Sequence, residues 1–366
     1  MKKSLIALAV LAASGVVSAQ STVTLYGLAD VYVGSQKSKT TTAGLTTNSP
    51  RQTVINSGGF NGSRFGMKGS EDLGGGLKAN FLLEAGYDIS TGEANNYVNP
   101  FGVAGNSSNA LFGRQSWVGV SGGFGEIKLG KMWTPYDEVK GSGAGAFDAG
   151  IFAPATNVWL SNDYRDRPGN SIYYSTPNFA GFSAAGSYSF GENKTNAVGT
   201  TPAADAGSIA SVNVQYANGP VGVALSHQQE KTPNDNATAK KLTQLNGSFN
   251  FGVVKLLAAY GEVKNGRTGL FAVLPATGFT VDKSKEYQLG VDVPLGPVTV
   301  SGGYAHSKAT LAAGGGEIKS NGIGLAAKYD LSKRTFLYTG LQYSENKRAG
   351  NEIKNDTFAL GVQHKF

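Results

Sequence analysis

The residues able to do acid–base or nucleophilic chemistry are few. The chain has three histidines, His227, His306 and His364, and no cysteine, so a disulfide framework and a thiolate metal site are both excluded. His306 and Ser307 are adjacent, but neighbours on a strand point to opposite faces and cannot act together as base and nucleophile. Gly141-Ser142-Gly143-Ala144-Gly145 has the glycine content of a phosphate-binding loop without its strand–loop–helix context or a following Lys-Ser/Thr. The sequence therefore predicts no enzyme and no cofactor. Its concentrated charge lies between Met132 and Gly169, where Asp137, Glu138, Asp148, Asp163 and Asp166 oppose Lys140, Arg165 and Arg167, giving 3 − 5 = −2.

That segment interrupts a strand pattern. Leu111 to Val120 and Phe124 to Lys131 read as two strands joined at Gly122-Gly123, and the pattern resumes at Asn170-Ser171-Ile172-Tyr173-Tyr174. A connection of this length without regular structure is uncommon unless it is functional or disordered. Trp133, Phe147, Phe152 and Trp159 argue against disorder, because aromatic burial offsets the entropy of ordering.

Elsewhere the chain alternates with period two. Leu25, Gly27, Ala29 and Val31 share a face opposite Tyr26, Asp30 and Tyr32; Phe81, Leu83 and Tyr87 oppose Lys78, Asn80, Glu84 and Asp88; Ile323, Leu325, Ala327 and Tyr329 alternate with Gly322, Gly324, Ala326 and Lys328. Such runs number about sixteen, an even count in the range of outer-membrane barrels. Short turns at Gly122-Gly123, Pro177-Asn178, Asn218-Gly219 and Leu295-Gly296-Pro297 alternate with longer polar connections at 36–58, 92–109, 193–206 and 265–281. The expectation is an all-β, 16-stranded antiparallel transmembrane β-barrel. A large exported β-sandwich or β-solenoid shares the alternation; the light apolar face and aromatics such as Tyr188, Phe190, Tyr304 and Tyr329 near strand ends favour the barrel.

Met1-Lys2-Lys3, the apolar run from Leu5 to Val17 and Val17-Ser18-Ala19 read as a signal peptide over 1–19, leaving one barrel domain over 20–366. Losing two lysines lowers the formal charge from +7 to 30 − 25 = +5, spread too thinly for a nucleic-acid partner.

Several motifs, in order, resemble those of the trimeric general diffusion porins of Gram-negative bacteria, especially the betaproteobacterial branch. They are Val23-Thr24-Leu25-Tyr26-Gly27, Ser63-Arg64-Phe65-Gly66-Met67-Lys68-Gly69-Ser70-Glu71-Asp72-Leu73-Gly74, Phe112-Gly113-Arg114-Gln115-Ser116-Trp117-Val118-Gly119, Leu129-Gly130-Lys131, Thr134-Pro135-Tyr136-Asp137, Asn170-Ser171-Ile172-Tyr173-Tyr174 and Gly361-Val362-Gln363-His364-Lys365-Phe366. The resemblance implies a homotrimer in the outer membrane, among outer-membrane lipid and lipopolysaccharide. It implies a third extracellular loop, here 132–169, folded inward to narrow a channel for small hydrophilic solutes and ions. It also implies wall arginines at Arg64, Arg114 and Arg167 facing loop acids, of which Asp137, Glu138 and Asp148 are the candidates; Lys68, four residues after Arg64, shares its face. Phe366 resembles the signal read by the barrel-assembly machinery, and His364 beside it is read as part of that motif rather than as a metal ligand. Mild anion preference is expected from the wall. A sugar- or organic-anion-selective channel is the alternative, because Tyr136, Phe147, Trp159 and Tyr164 offer an aromatic track.

Overall fold

The computed structural model describes residues 22–94, 110–140, 150–191, 207–231, 239–267 and 280–366. The expected signal peptide, Phe147 and Asp148 lie outside these residues. The strands are β1 (Thr22–Thr42), β2 (Leu45–Asn48), β3 (Gln52–Ser57), β4 (Arg64–Gly74), β5 (Leu77–Gly86), β6 (Gln115–Gly122), β7 (Gly125–Lys131), β8 (Ser171–Ser175) and β9 (Phe182–Phe190). They continue with β10 (Ser208–Asn218), β11 (Val221–Lys231), β12 (Lys240–Asn250), β13 (Lys255–Arg267), β14 (Thr280–Leu295), β15 (Val298–Leu311), β16 (Glu317–Asp330), β17 (Thr335–Arg348) and β18 (Asn351–Lys365).

β1 pairs along its length with β4, then β3, then β2. Those three are pieces of one staff, so the 18 segments form 18 − 2 = 16 staves. All pairs are antiparallel, and β18 returns to β1 from Leu28↔Lys365 to Thr41↔Glu352. The sheet is therefore closed and has no open edge, which is what a β-structure surrounded by lipid requires. At the seam Gly27 and Phe366 exchange backbone hydrogen bonds of 3.0 and 3.1 Å. Glycine is required there because a Cβ on Gly27 would stand 2.1 Å from the Phe366 ring.

The two faces are inverted relative to a soluble protein. Leu289 is 60 % exposed while its neighbour Gln288 and the nearby Glu286 are buried; on β17, Leu337, Leu341 and Tyr343 are exposed between buried Tyr338, Gln342, Ser344 and Asn346. A sandwich would bury its apolar face between sheets. Here the apolar face is outside and the polar face inside, as in a barrel immersed in lipid.

Short turns at Gly75-Gly76, Gly123-Phe124 and Gly296-Pro297 lie on the rim that also holds Phe366. The longer connections lie on the other rim. The expected long connection over 36–58 is instead largely strand: β1 runs on to Thr42, and β2 and β3 pair with it. Thr, Ser and Gln fill this extension, which carries little apolar alternation because it projects past the apolar band.

Candidate functional site

Residues 132–170 leave β7 and return at β8. Pro135–Lys140 form a short helix, α1. Proline at the first helical position and Thr134 before it, whose Oγ1 accepts the Asp137 N–H at 3.4 Å, account for its start.

The segment is held by polar side chains on the inner wall. On β10, Ser211 Oγ accepts the Tyr136 N–H at 2.9 Å and Asn213 donates to the Pro135 carbonyl at 2.7 Å. On β12, Gln244 accepts the Tyr136 hydroxyl at 3.1 Å and Asn246 donates to the Val139 carbonyl at 2.5 Å. Further along, Gln342 of β17 donates to the Thr156 carbonyl at 3.0 Å. Fully buried Glu286 of β14 accepts the Leu160 N–H at 2.6 Å, the Ser161 N–H at 3.3 Å, the Ser161 hydroxyl and, at 3.1 Å, the Ser284 hydroxyl. On β16 the segment presses against bare backbone: a Cβ on Gly324 would lie 2.0 Å from the Phe152 carbonyl oxygen, and one on Gly322 2.1 Å from that of Pro154. Asp163 is ion-paired to Lys240 at 3.1 Å. Tyr136 and Trp159 are 0 % and 2 % exposed, so they anchor the segment and form no aromatic track for a sugar.

Charge gathers around β4 to β8, across from these anchors. Arg64 opens β4 and lies opposite Gly86. Arg114 immediately precedes β6; its Nε pairs with Glu84 Oε1 at 2.8 Å, and its stem lies over Gly86, where a Cβ would meet it at 3.1 Å. Glu84's other oxygen accepts the Tyr26 hydroxyl at 3.0 Å. Arg167 is not on a strand but on the returning end of the long segment, ion-paired to Asp166 at 2.8 Å. Trp133 brings the two guanidiniums together, with Arg167 4.1 Å and Arg114 5.8 Å from the ring centre. Arg64 and Arg167 both act electrostatically on Arg114, and Lys131 donates to the Arg167 carbonyl at 2.6 Å. Four cations (Arg64, Arg114, Arg167, Lys131) against Glu84 and Asp166 leave 4 − 2 = +2. Lys68, exposed on β4, adds a further charge 5.4 Å from the Tyr26 ring.

Arg114 is thus gathered with Arg64 and Arg167 but is only 5 % exposed, a buried member of the cluster rather than a surface lining the water. The loop acids take tyrosines: Asp137 accepts the Tyr164 hydroxyl, and Glu138 accepts that of Tyr173 at 2.8 Å. Desolvation by the surrounding protein raises the Glu138 carboxyl above the ordinary carboxylate range, while the bond from Tyr173 pulls it down. Its side chain is exposed.

A family model described as Gram-negative porin matches residues 5–349. The chain belongs to the Gram-negative porin family. This porin is 37 % identical over 383 residues to outer membrane porin protein 32 of Delftia acidovorans, with 100 % of this chain and 93 % of that protein covered. It is 32 % identical over 401 residues to an outer membrane porin protein of Bordetella pertussis, with both chains covered completely. Among solved structures it is similar to an anion-selective porin from Comamonas acidovorans, with a TM-score of 0.72 and 29 % identity over 94 % of this chain and 100 % of that one. It is an outer-membrane diffusion channel.

In this porin the sequence placed Glu84 and Asp30 on polar faces without revealing their partners. Asp30 accepts the N–H groups of Gly59, Phe60 and Asn61 at 3.0, 3.2 and 2.8 Å and the Tyr338 hydroxyl at 2.5 Å. It thereby fixes the link between β3 and β4, on which Ile151 of the long segment also rests through the Gly59 carbonyl at 3.0 Å. These partners are distant in sequence, so alternation carries no signal for them.

Proposed function

We propose that this porin is a homotrimeric, mildly anion-selective channel in which residues 132–169 narrow the lumen and small hydrophilic solutes move down their own gradients. The observation that carries this is the arginine cluster around Trp133. The long segment rests on polar side chains of β10, β12, β14 and β17, leaving Arg64 of β4 and the segment's own Arg167 toward the water path. Guanidiniums keep their charge at any accessible pH, and a ring of fixed positive charge lowers the barrier for anions relative to cations. Similarity to an anion-selective porin supports the same sign. Trimeric assembly is supported by likeness of fold to porins, one solved in a trimer form at a TM-score of 0.64 and 14 % identity.

Arg64 and Lys68 on the wall and Arg167 on the returning segment act as the positive side of the constriction, buried Arg114 adds its charge from behind them, and Asp137 and Glu138 act as the opposing acids. Phe366, whose backbone closes the barrel on Gly27, serves as the assembly signal.

The test is the reversal potential of the reconstituted protein in a salt gradient. Wild type shows anion preference, and Arg64→Ala combined with Arg167→Ala shifts the potential toward cations. A cation-selective wild type, or an unshifted variant, overturns the assignment.

A further inference from the structure

Among the described residues, the inward face of β4 to β8 is built from charged, amide, hydroxyl and glycine residues with three large exceptions, Leu82, Trp117 and Tyr173. Leu82 shares the face of Glu84, two residues away on β5, and stands opposite Lys68 of β4 on one side and Trp117 of β6 on the other. Tyr173 is 4 % exposed and gives its hydroxyl to Glu138 at 2.8 Å. Leu82 and Trp117 are only half-buried. An apolar surface left against water gains by being covered, so this pair on a channel wall is a place for the apolar part of a solute.

Most polar groups around the pair are already matched. Trp117 donates its N–H to Gln115 at 3.4 Å. Lys128 stands 4.9 Å from the Trp117 ring centre and 4.5 Å from that of Tyr173, and is ion-paired to Glu126 at 3.1 Å. Lys68 differs: it is exposed, 5.4 Å from the Tyr26 ring centre. Glu84, two residues along from Leu82, is committed to Arg114 and Tyr26, and among the described residues no carboxylate stands within ion-pair distance of Lys68. Two strand spacings of ~4.8 Å set the Lys68 and Trp117 backbones ~10 Å apart, with Leu82 between them. A single ring bearing a carboxylate fits that span. The pair lies nearer the short-turn rim than Arg64 and Glu84, so a solute that has passed the arginines from the other rim meets it next.

We infer that Lys68, Leu82 and Trp117 form a lumen site for aromatic monocarboxylates, the ring lying on Leu82 and the indole and the carboxylate meeting Lys68. The site rests on the channel reading, since a solute reaches it only along the water path. Recognition of a small solute joins an apolar surface to a few placed polar groups, and ring stacking on an indole adds to what area burial alone provides. Acetate has the charge but nothing to cover the apolar pair. A neutral aromatic alcohol has the ring but no charge for Lys68.

Full-length protein in planar bilayers carries chloride current while phenylacetate, acetate or 2-phenylethanol is added, and the fall in conductance is read as a half-blocking concentration. Phenylacetate blocks saturably, at a concentration about tenfold below that of acetate or 2-phenylethanol. Trp117→Ala and Leu82→Asn each raise the phenylacetate value about fivefold, Lys68→Gln brings it to the 2-phenylethanol value, and Trp117→Phe stays within about twofold of wild type. Lys78→Gln, on the same strand as Leu82 but nearer the short-turn rim, leaves it unchanged. Phenylacetate block no stronger than that of acetate, or block that survives both Trp117→Ala and Leu82→Asn, overturns the site; Leu82→Asn keeps the test standing should Trp117→Ala fail to fold. The reversal potential in the same bilayers tests the channel reading by itself. An anion-selective wild type that phenylacetate does not block overturns the site and leaves that reading standing, whereas a cation-selective wild type with Trp117-dependent block overturns that reading and leaves the site.

Discussion

The carboxylate of Glu286, on the barrel wall, receives the backbone N–H of Leu160 at 2.6 Å, so a fully buried strand residue holds the middle of the long segment. The same carboxylate accepts the Ser161 N–H and hydroxyl. Each hydrogen bond to a charged group contributes roughly 1.5–3 kcal/mol. Removing the acceptor as Glu286→Ala is expected to loosen the segment, raising current noise and altering mean single-channel conductance, while the melting of the barrel measured by circular dichroism changes little. Conductance and noise identical to wild type would show that the anchor does not hold the lumen's shape.

Gly324 and Gly322 give the segment its seat on β16, since any side chain there collides with the Phe152 or Pro154 carbonyl. Gly324→Ala is expected to push the segment toward the lumen axis and reduce conductance. Gly247→Ala, where nothing stands within 4 Å of the added carbon, is the control. Equal conductance in both variants would mean that the segment yields without narrowing the path.

Arg114 and Glu84 form a buried ion pair. Breaking one side of such a pair costs about 3–5 kcal/mol, whereas replacing both sides with neutral groups costs far less. Arg114→Ala should therefore be clearly less stable than wild type in a urea titration. Arg114→Gln with Glu84→Gln should recover most of that loss, and a double variant no better than the single one would refute the coupling.

Glu138 has a carboxyl held above its ordinary range by desolvation. A raised acid favours its neutral form in the fold, so its stabilising contribution is complete below the unfolded carboxyl value and fades as pH rises through the folded one. Glu138→Gln should accordingly be no less stable than wild type at neutral pH. Acidification neutralises Glu138 and adds one net positive charge to the lumen, so anion preference rises as pH falls from ~7 toward ~4. The glutamine variant should begin with the higher anion preference and show a smaller rise, which reversal potentials at several pH values would measure. A wild-type pH profile in Glu138→Gln would exclude this role.

The legible part of the protein was whatever obeys period two. Leu25, Gly27, Ala29 and Val31 against Tyr26, Asp30 and Tyr32 reported which side meets lipid, and repeated about sixteen times such runs specified a closed barrel, because lipid tolerates no open sheet edge. Aromatic content marked 132–169 as an ordered connection. Residues 36–58 were misread because threonines and glutamines that pair beyond the apolar band need no apolar face, so the pattern that identifies membrane strands is absent there.

What the tertiary structure alone decided was pairing across the lumen. Nothing in the order of residues places Leu160 on Glu286, Phe152 on Gly324, or Trp133 between Arg114 and Arg167. These contacts join positions brought together only when the sheet closes and the segment settles on one wall. Sequence alternation fixes the face of each side chain; closure and register decide what that face meets, and therefore that the long segment rests on polar side chains of β10, β12, β14 and β17.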